Sequence, residues 1–222
     1  ESPSYLGALN AFNAYQPKFV EVPTDNGGLI PEELDKILET TPNCKFIYVI
    51  PDFQNPTGRT WSMERRQKFM EVVNKHNLPV LEDNPYGELR YEGTILPSLK
   101  SMDTKGLVMF LGTFSKIFCP GLRLGWIAAE HSLLSEFVKI KQSADLHTSN
   151  FDQGVADAYM EQYDLDEHVK EIVALYKHRR DLILESMEKY FPAGTEWTHP
   201  EGGLFLWLTF PEGVRARKAF NK

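Results

Sequence analysis

Cysteine is scarce in this sequence: Cys44 and Cys119 stand far apart, with no CxxC and no Cys/His ligand spacing around them. That argues against a disulfide framework and a structural zinc, and fits a reducing, cytoplasmic setting. A basic excess is also missing. The 24 Lys and Arg face 31 Asp and Glu, a net charge of -7, and no run of cations forms a stripe. Nucleic-acid binding through this segment is therefore disfavoured. No apolar run approaches the roughly 20 residues that a bilayer span requires, and there is neither an internal repeat nor a low-complexity tract. The opening ESPSYLGALNAF has no initiator Met, and the closing GVRARKAFNK completes no element, so the chain reads as truncated at both ends.

What is present is an ordinary globular composition, 222 residues with 42% hydrophobic and 25% charged. Short apolar runs alternate with amphipathic stretches. KFVEV (18–22), KFIYVI (45–50), PVLED (79–83), LVMFLG (107–112) and LGWIAA (124–129) read as strands. Between them, Pro31 opens a helix with acids in its first turn, and Ser62 caps another that carries Phe69, Val72, Val73 and His76 on one side. Strands separated by helices indicate an α/β sheet, mostly parallel and covered on both faces. From residue 131 the pattern turns helical. A long stretch from about Asp164 to Tyr190 carries Val169, Ile172, Val173, Tyr176, Ile183, Met187 and Tyr190, and Pro192 ends it. GGLFLWLTF (202–210) then reads as a strand of a smaller unit. The expected division is residues 1–163 as a large domain and 164–222 as an interdomain helix with part of a small α/β domain.

Ligands of open α/β sheets bind outside the carboxyl ends of the strands. After strand 45–50 comes PDFQNPTG with Asn55; strand 79–83 ends on Asp83, with Tyr86 just beyond; after 107–112 come Thr113, Ser115 and Lys116, and Arg123 precedes the next strand. Taken singly, each has an ordinary explanation: a turn, a cap, a surface lysine, an ion-pair partner. Together at neighbouring strand ends they form a polar cluster that needs a ligand. A lysine amine condenses with aldehydes, hydroxyls with an arginine fork suit a phosphate, and a carboxylate opposite a pyridine nitrogen keeps that nitrogen protonated. An amide and a phenol would hold a ring oxygen. The ligand so described is pyridoxal 5'-phosphate.

The order NPTG, DNPY, TFSK and GLRLGW strongly resembles the fold-type-I pyridoxal-phosphate aminotransferases of classes I and II. Lys116 and Arg123 lie seven residues apart with Pro120 between, and KQSADLHTSNFDQ (141–153) follows; both are similar to the branch holding 2-aminoadipate, kynurenine and aromatic aminotransferases and the MocR-type regulators. The resemblance implies a Schiff-base lysine at Lys116 that also moves the substrate proton, and a pyridinium partner at Asp83. Asn55 and Tyr86 are implied at the 3-oxygen, Thr113, Ser115 and Arg123 at the phosphate, and Tyr5 stacked on the ring. It also implies a homodimer, amino-acid and 2-oxo-acid substrates, and no metal. The family's glycine-rich phosphate loop is expected upstream of residue 1 and its substrate-carboxylate arginine beyond residue 222; Arg215 and Arg217 do not match that motif. A donor of 2-aminoadipate, aromatic or branched-chain type with 2-oxoglutarate as acceptor is the expected reaction. A MocR-type transcription regulator is the alternative, and a β-lyase on the same fold would keep every motif.

Overall fold

The computed structural model describes residues 1–217; residues 218–222 of the expected C-terminal unit lie outside the described residues. In chain order the elements are α1 (Leu6–Asn13), β1 (Thr24–Asp25), β2 (Gly28–Leu29), α2 (Pro31–Thr40), β3 (Ile47–Val49), α3 (Met63–His76), β4 (Val80–Asp83) and β5 (Val108–Thr113). They continue with β6 (Gly125–Ala128), α4 (His131–Asp145), α5 (Asn150–Gln162), α6 (Leu165–Tyr190), β7 (Glu196–Trp197) and β8 (Leu208–Thr209). β3, β4 and β5 pair in parallel and β6 closes the row antiparallel, giving a four-stranded mixed sheet in the order β3-β4-β5-β6.

Local chemistry sets the helix ends. Ser62 Oγ accepts the Arg65 amide at 3.2 Å, Glu64 sits in the first turn of α3, Lys75 and His76 in the last, and Asn77 leaves the helix in the left-handed conformation at φ 51°. α2 begins with Pro31 at its first turn, followed by Glu32 and Glu33. The two helices meet over Asp35, which accepts from Lys75 Nζ at 2.8 Å and lies 2.6 Å from His76 Nε2. The core sits between them and the sheet: Leu34, Val49, Trp61, Phe69, Val73, Val80, Leu99 and Val108 are all buried. Phe69 and Val73 are fully enclosed, and burial of each contributes about 1.5–3 kcal/mol.

Two expected strands are corrected. Residues 18–22 form no strand: the segment finds no ladder partner among the described residues, and Phe19 and Val20 remain exposed while Val22 alone reaches the core. An apolar, β-prone stretch becomes a strand only when its amides pair with a neighbour. The run 202–210 shrinks to Leu208–Thr209, paired with β7, plus one bridge from Gly202 to Arg90. Tertiary docking takes its beginning: Gly203 donates its amide to Leu89 O at 2.9 Å, and just before the run the Tyr91 amide donates to Glu201 O at 2.7 Å. Of the apolar stripe expected on α6, only Met187 is buried among the described residues; Ile183 and Tyr190 are exposed.

Candidate functional site

Because β3, β4 and β5 are parallel, their carboxyl ends share one edge of the sheet. Asp83 is the last residue of β4 and Thr113 the last of β5, and Thr113 pairs with Gly125 at the start of β6, two residues after Arg123. Asn55 lies in the loop that leaves β3. The expected residues thus reach the same edge from three connections, two of them crossovers and the third the turn between antiparallel β5 and β6.

The Asn55 loop is tightly built. Buried Gln54 accepts from the Thr57 amide at 2.8 Å and the Thr57 hydroxyl at 2.7 Å, and its Nε2 donates to Pro3 O at 2.9 Å. One side chain therefore shapes the NPTG turn and ties to it the segment carrying Tyr5. Gly58 holds φ 69° there, and a Cβ would come within 2.4 Å of Phe205 O, so the turn needs glycine both for its backbone and for the close approach of 203–205. Below the loop, fully buried Arg66 donates to Asp52 Oδ1 at 2.7 Å, with Trp61 O at 3.2 Å and Pro97 O at 3.0 Å. Arg90 stands 3.7 Å from the same carboxylate and 2.7 Å from Glu201.

Asn55 Nδ2 lies 3.5 Å from Tyr86 Oη, a long contact that leaves both groups able to donate to a third atom. Tyr86 is buried, its ring edge against Phe205 at 5.6 Å, and burial together with the nearby Asp83 charge pushes its phenol up to about 12 despite the Asn55 contact. It is a neutral donor. Asp83 is raised by burial, against which works a 2.6 Å hydrogen bond donated by Tyr48 Oη to Oδ2. Thr113 Oγ1 donates to Leu124 O at 3.1 Å and accepts the Ser115 amide at 3.1 Å. Arg123, in the left-handed conformation at φ 55°, reaches Pro120 O at 3.0 Å and Ser115 Oγ at 3.4 Å. Lys116 sits in the turn after β5, where it makes no hydrogen bond or ion pair among the described residues. The Tyr5 ring is folded over Gly7, where a Cβ would meet its hydroxyl at 2.5 Å, and is 41% exposed.

The structure therefore joins the expected residues in two hydrogen-bonded groups, Asn55 with Tyr86 and Thr113 with Ser115 and Arg123, with Asp83 at the end of the central strand. Tyr48 was not foreseen. Its one signal in the sequence is a phenol inside an otherwise apolar strand, and its partner is set by the pairing of β3 with β4. Glu82, beside Asp83, is a different carboxylate. Strand alternation turns it into the core, where it accepts the Leu99 and Lys100 amides at 2.8 Å each, and burial raises it to about 7.

The donor set fits the cofactor expected from the sequence: a half-buried carboxylate for a ring nitrogen, two neutral donors 3.5 Å apart for a ring oxygen, hydroxyls with a guanidinium for a phosphate, and a free amine for an aldehyde.

Comparison with known proteins agrees. Residues 1–222 match the family described as aminotransferase class I and II. The chain is 44% identical over 226 residues to aromatic-amino-acid aminotransferase 1 of Thermococcus litoralis, an alignment covering 100% of this chain and 54% of that protein. It superposes with a TM-score of 0.95 and 41% identity on the kynurenine aminotransferase of Pyrococcus horikoshii solved with PMP, KYN and KYA, covering 99% of this chain and 55% of that one. An uncharacterised HTH-type transcriptional regulator of Bacillus subtilis is 32% identical over 99% of this chain and 45% of its own length. The chain spans about half the length of the curated relatives it matches.

Proposed function

The chain belongs to the class I and II aminotransferases, a family that works with pyridoxal 5'-phosphate, and from this we propose that the protein moves the amino group of an amino acid to a 2-oxo acid such as 2-oxoglutarate. The donor is of the aromatic or 2-aminoadipate type, a reading supported by the similarity to the Thermococcus enzyme and, at 32% identity, to the 2-aminoadipate transaminase of Thermus thermophilus. The observation that carries it is the gathering of Asp83, the Asn55–Tyr86 pair and the Thr113–Ser115–Arg123 group at one sheet edge, next to Lys116.

When bound, the cofactor supplies an aldehyde and a protonated ring that accepts the electron pair left at the substrate α-carbon. The remaining work falls to side chains. Asp83 holds the proton on the ring nitrogen; a carboxylate removed from water exerts a stronger field than one in solvent. Asn55 and Tyr86 donate to the ring oxygen, Thr113, Ser115 and Arg123 hold the phosphate, and Tyr5 covers the ring. Lys116 anchors the cofactor, and its Nζ carries the proton that leaves the substrate α-carbon.

We assign residues 1–163 to the cofactor-binding domain and 164–222 to an interdomain helix and part of a small domain, a division supported by the start of α6 at Leu165. A homodimer working in the cytoplasm completes the proposal. Two free cysteines and the absence, among the described residues, of any helix long and apolar enough to cross a membrane accord with it. The similarity to the Bacillus regulator favours, as a second reading, a cofactor-sensing domain of a transcription factor. Borohydride reduction of the cofactor-loaded protein followed by peptide mapping is expected to place the label on Lys116, and turnover is expected with 2-oxoglutarate and aromatic or 2-aminoadipate donors. Label on any other lysine refutes the site. Cofactor binding and promoter binding without turnover of any donor establish the regulator instead.

A further inference from the structure

We propose that Tyr48 is a positioning residue for Asp83: its O–H fixes one carboxylate oxygen and thereby aims the other at the ring nitrogen of the cofactor. The inference rests on the reading of Asp83 given above. β3 and β4 run in parallel with Tyr48 opposite Leu81, so alternation puts Tyr48 on the face shared by Leu81 and Asp83. A phenol is long enough to span the two-residue offset, and Tyr48 Oη reaches Asp83 Oδ2 at 2.6 Å. No other side chain hydrogen-bonds Asp83 among the described residues, and none of their cations pairs with it. The Tyr48 ring is itself held: Phe12 packs edge-on at 5.5 Å and is backed by Phe46 at 5.1 Å. The other titratable groups facing this pair are Glu1, Tyr5 and Tyr86, and none of them is a cation. The donor that offsets desolvation of Asp83 is therefore a neutral phenol on the neighbouring strand. Burial and the Asp83 charge push its own ionisation far upward, so it keeps its proton throughout the working range.

Tyr48→Phe keeps the ring packing and deletes only the O–H. Without it Asp83 is protonated more readily and holds the ring proton less firmly. A less positive ring no longer opposes protonation of the lysine-linked nitrogen, so the visible band of the bound cofactor is expected to titrate about one pH unit higher. kcat falls about tenfold, the counterpart of one such unit, while KM for the amino donor stays within about threefold because no substrate contact is lost. A purely structural hydrogen bond would lower thermal stability and leave the titration midpoint where it was, which overturns the proposal. Asp83→Asn, measured in parallel, separates the two readings. If it leaves midpoint and kcat unchanged, the role of Asp83 fails; if it changes both while Tyr48→Phe changes neither, only the role of Tyr48 fails. Should Tyr48→Phe not fold, 3-fluorotyrosine at position 48 retains shape and donor but strengthens the bond. The midpoint is then expected to move down, and an unmoved midpoint overturns the proposal.

Discussion

Replacing Arg66 with Met tests what holds the Asn55 loop in place. The guanidinium is fully buried and Asp52 nearly so, with side-chain exposures of 0% and 7%. Besides the 2.7 Å ion pair, Arg66 donates to Trp61 O and Pro97 O and lies 3.5 Å from Pro51 O, so it spans both mouths of the loop from 51 to 61. Methionine roughly fills the volume but leaves Asp52 as a buried charge and several carbonyls without a donor. Removing one partner of a buried pair costs about 3–5 kcal/mol. Arg90, 3.7 Å from Asp52, relieves part of this, which puts the expected loss at the lower end, about 3 kcal/mol. For a chain of this size that corresponds to a drop in Tm of about 6–12 °C. Urea and thermal unfolding followed by circular dichroism and by tryptophan fluorescence, to which buried Trp61 contributes, provide the measurement. Asp52→Asn and the double variant complete the cycle, and the double is expected to lose at least about 1 kcal/mol less than the sum of the singles. A loss below about 1 kcal/mol for Arg66→Met, or strict additivity, refutes the idea that this pair anchors the loop.

Two further outcomes are expected. Glu82 titrates at about 7 in the folded chain against 4.5 for an ordinary glutamate, chiefly through burial. Between those pH values the native state holds a proton that the unfolded chain has released, so its contribution to stability falls as pH rises through that window, by roughly 3 kcal/mol, and levels off above it. Urea unfolding of Glu82→Gln between about pH 4 and 8 is expected to show a flatter profile than the parent protein, and an identical profile refutes the assignment. Arg123→Ala is expected to weaken cofactor retention about tenfold or more, since it removes a charge-assisted donor for the phosphate, with a smaller effect on turnover of the loaded protein. Equilibrium dialysis against free cofactor measures the loss, and an unchanged affinity removes Arg123 from the phosphate group.

What could be read from the sequence alone is what neighbours along the chain decide. Pro31 and Ser62 start helices because the first turn lacks partners for its amides, and Pro192 stops one because it cannot continue the ladder. The apolar runs around 47–49, 80–83, 108–113 and 125–128 are strands, and the order of Asn55, Asp83, Thr113 and Arg123 at their ends was legible before any coordinate. Tertiary structure decided whatever depends on a partner distant in sequence. Residues 18–22 have the composition of a strand yet pair with nothing among the described residues, and in 202–210 Gly203 gives its amide to Leu89 O while only Leu208–Thr209 forms a strand. The two carboxylates of Glu82 and Asp83 look alike in sequence; the pleat sends one to the amides of Leu99 and Lys100 and the other to the sheet edge. The hydrogen bond from Tyr48 to Asp83, 35 residues apart, comes from strand register. Hydrophobic period and capping act over one or two turns of chain, whereas a buried polar group takes whichever partner the packing brings within 3 Å (about the hydrogen-bond limit), and that choice is written only in three dimensions.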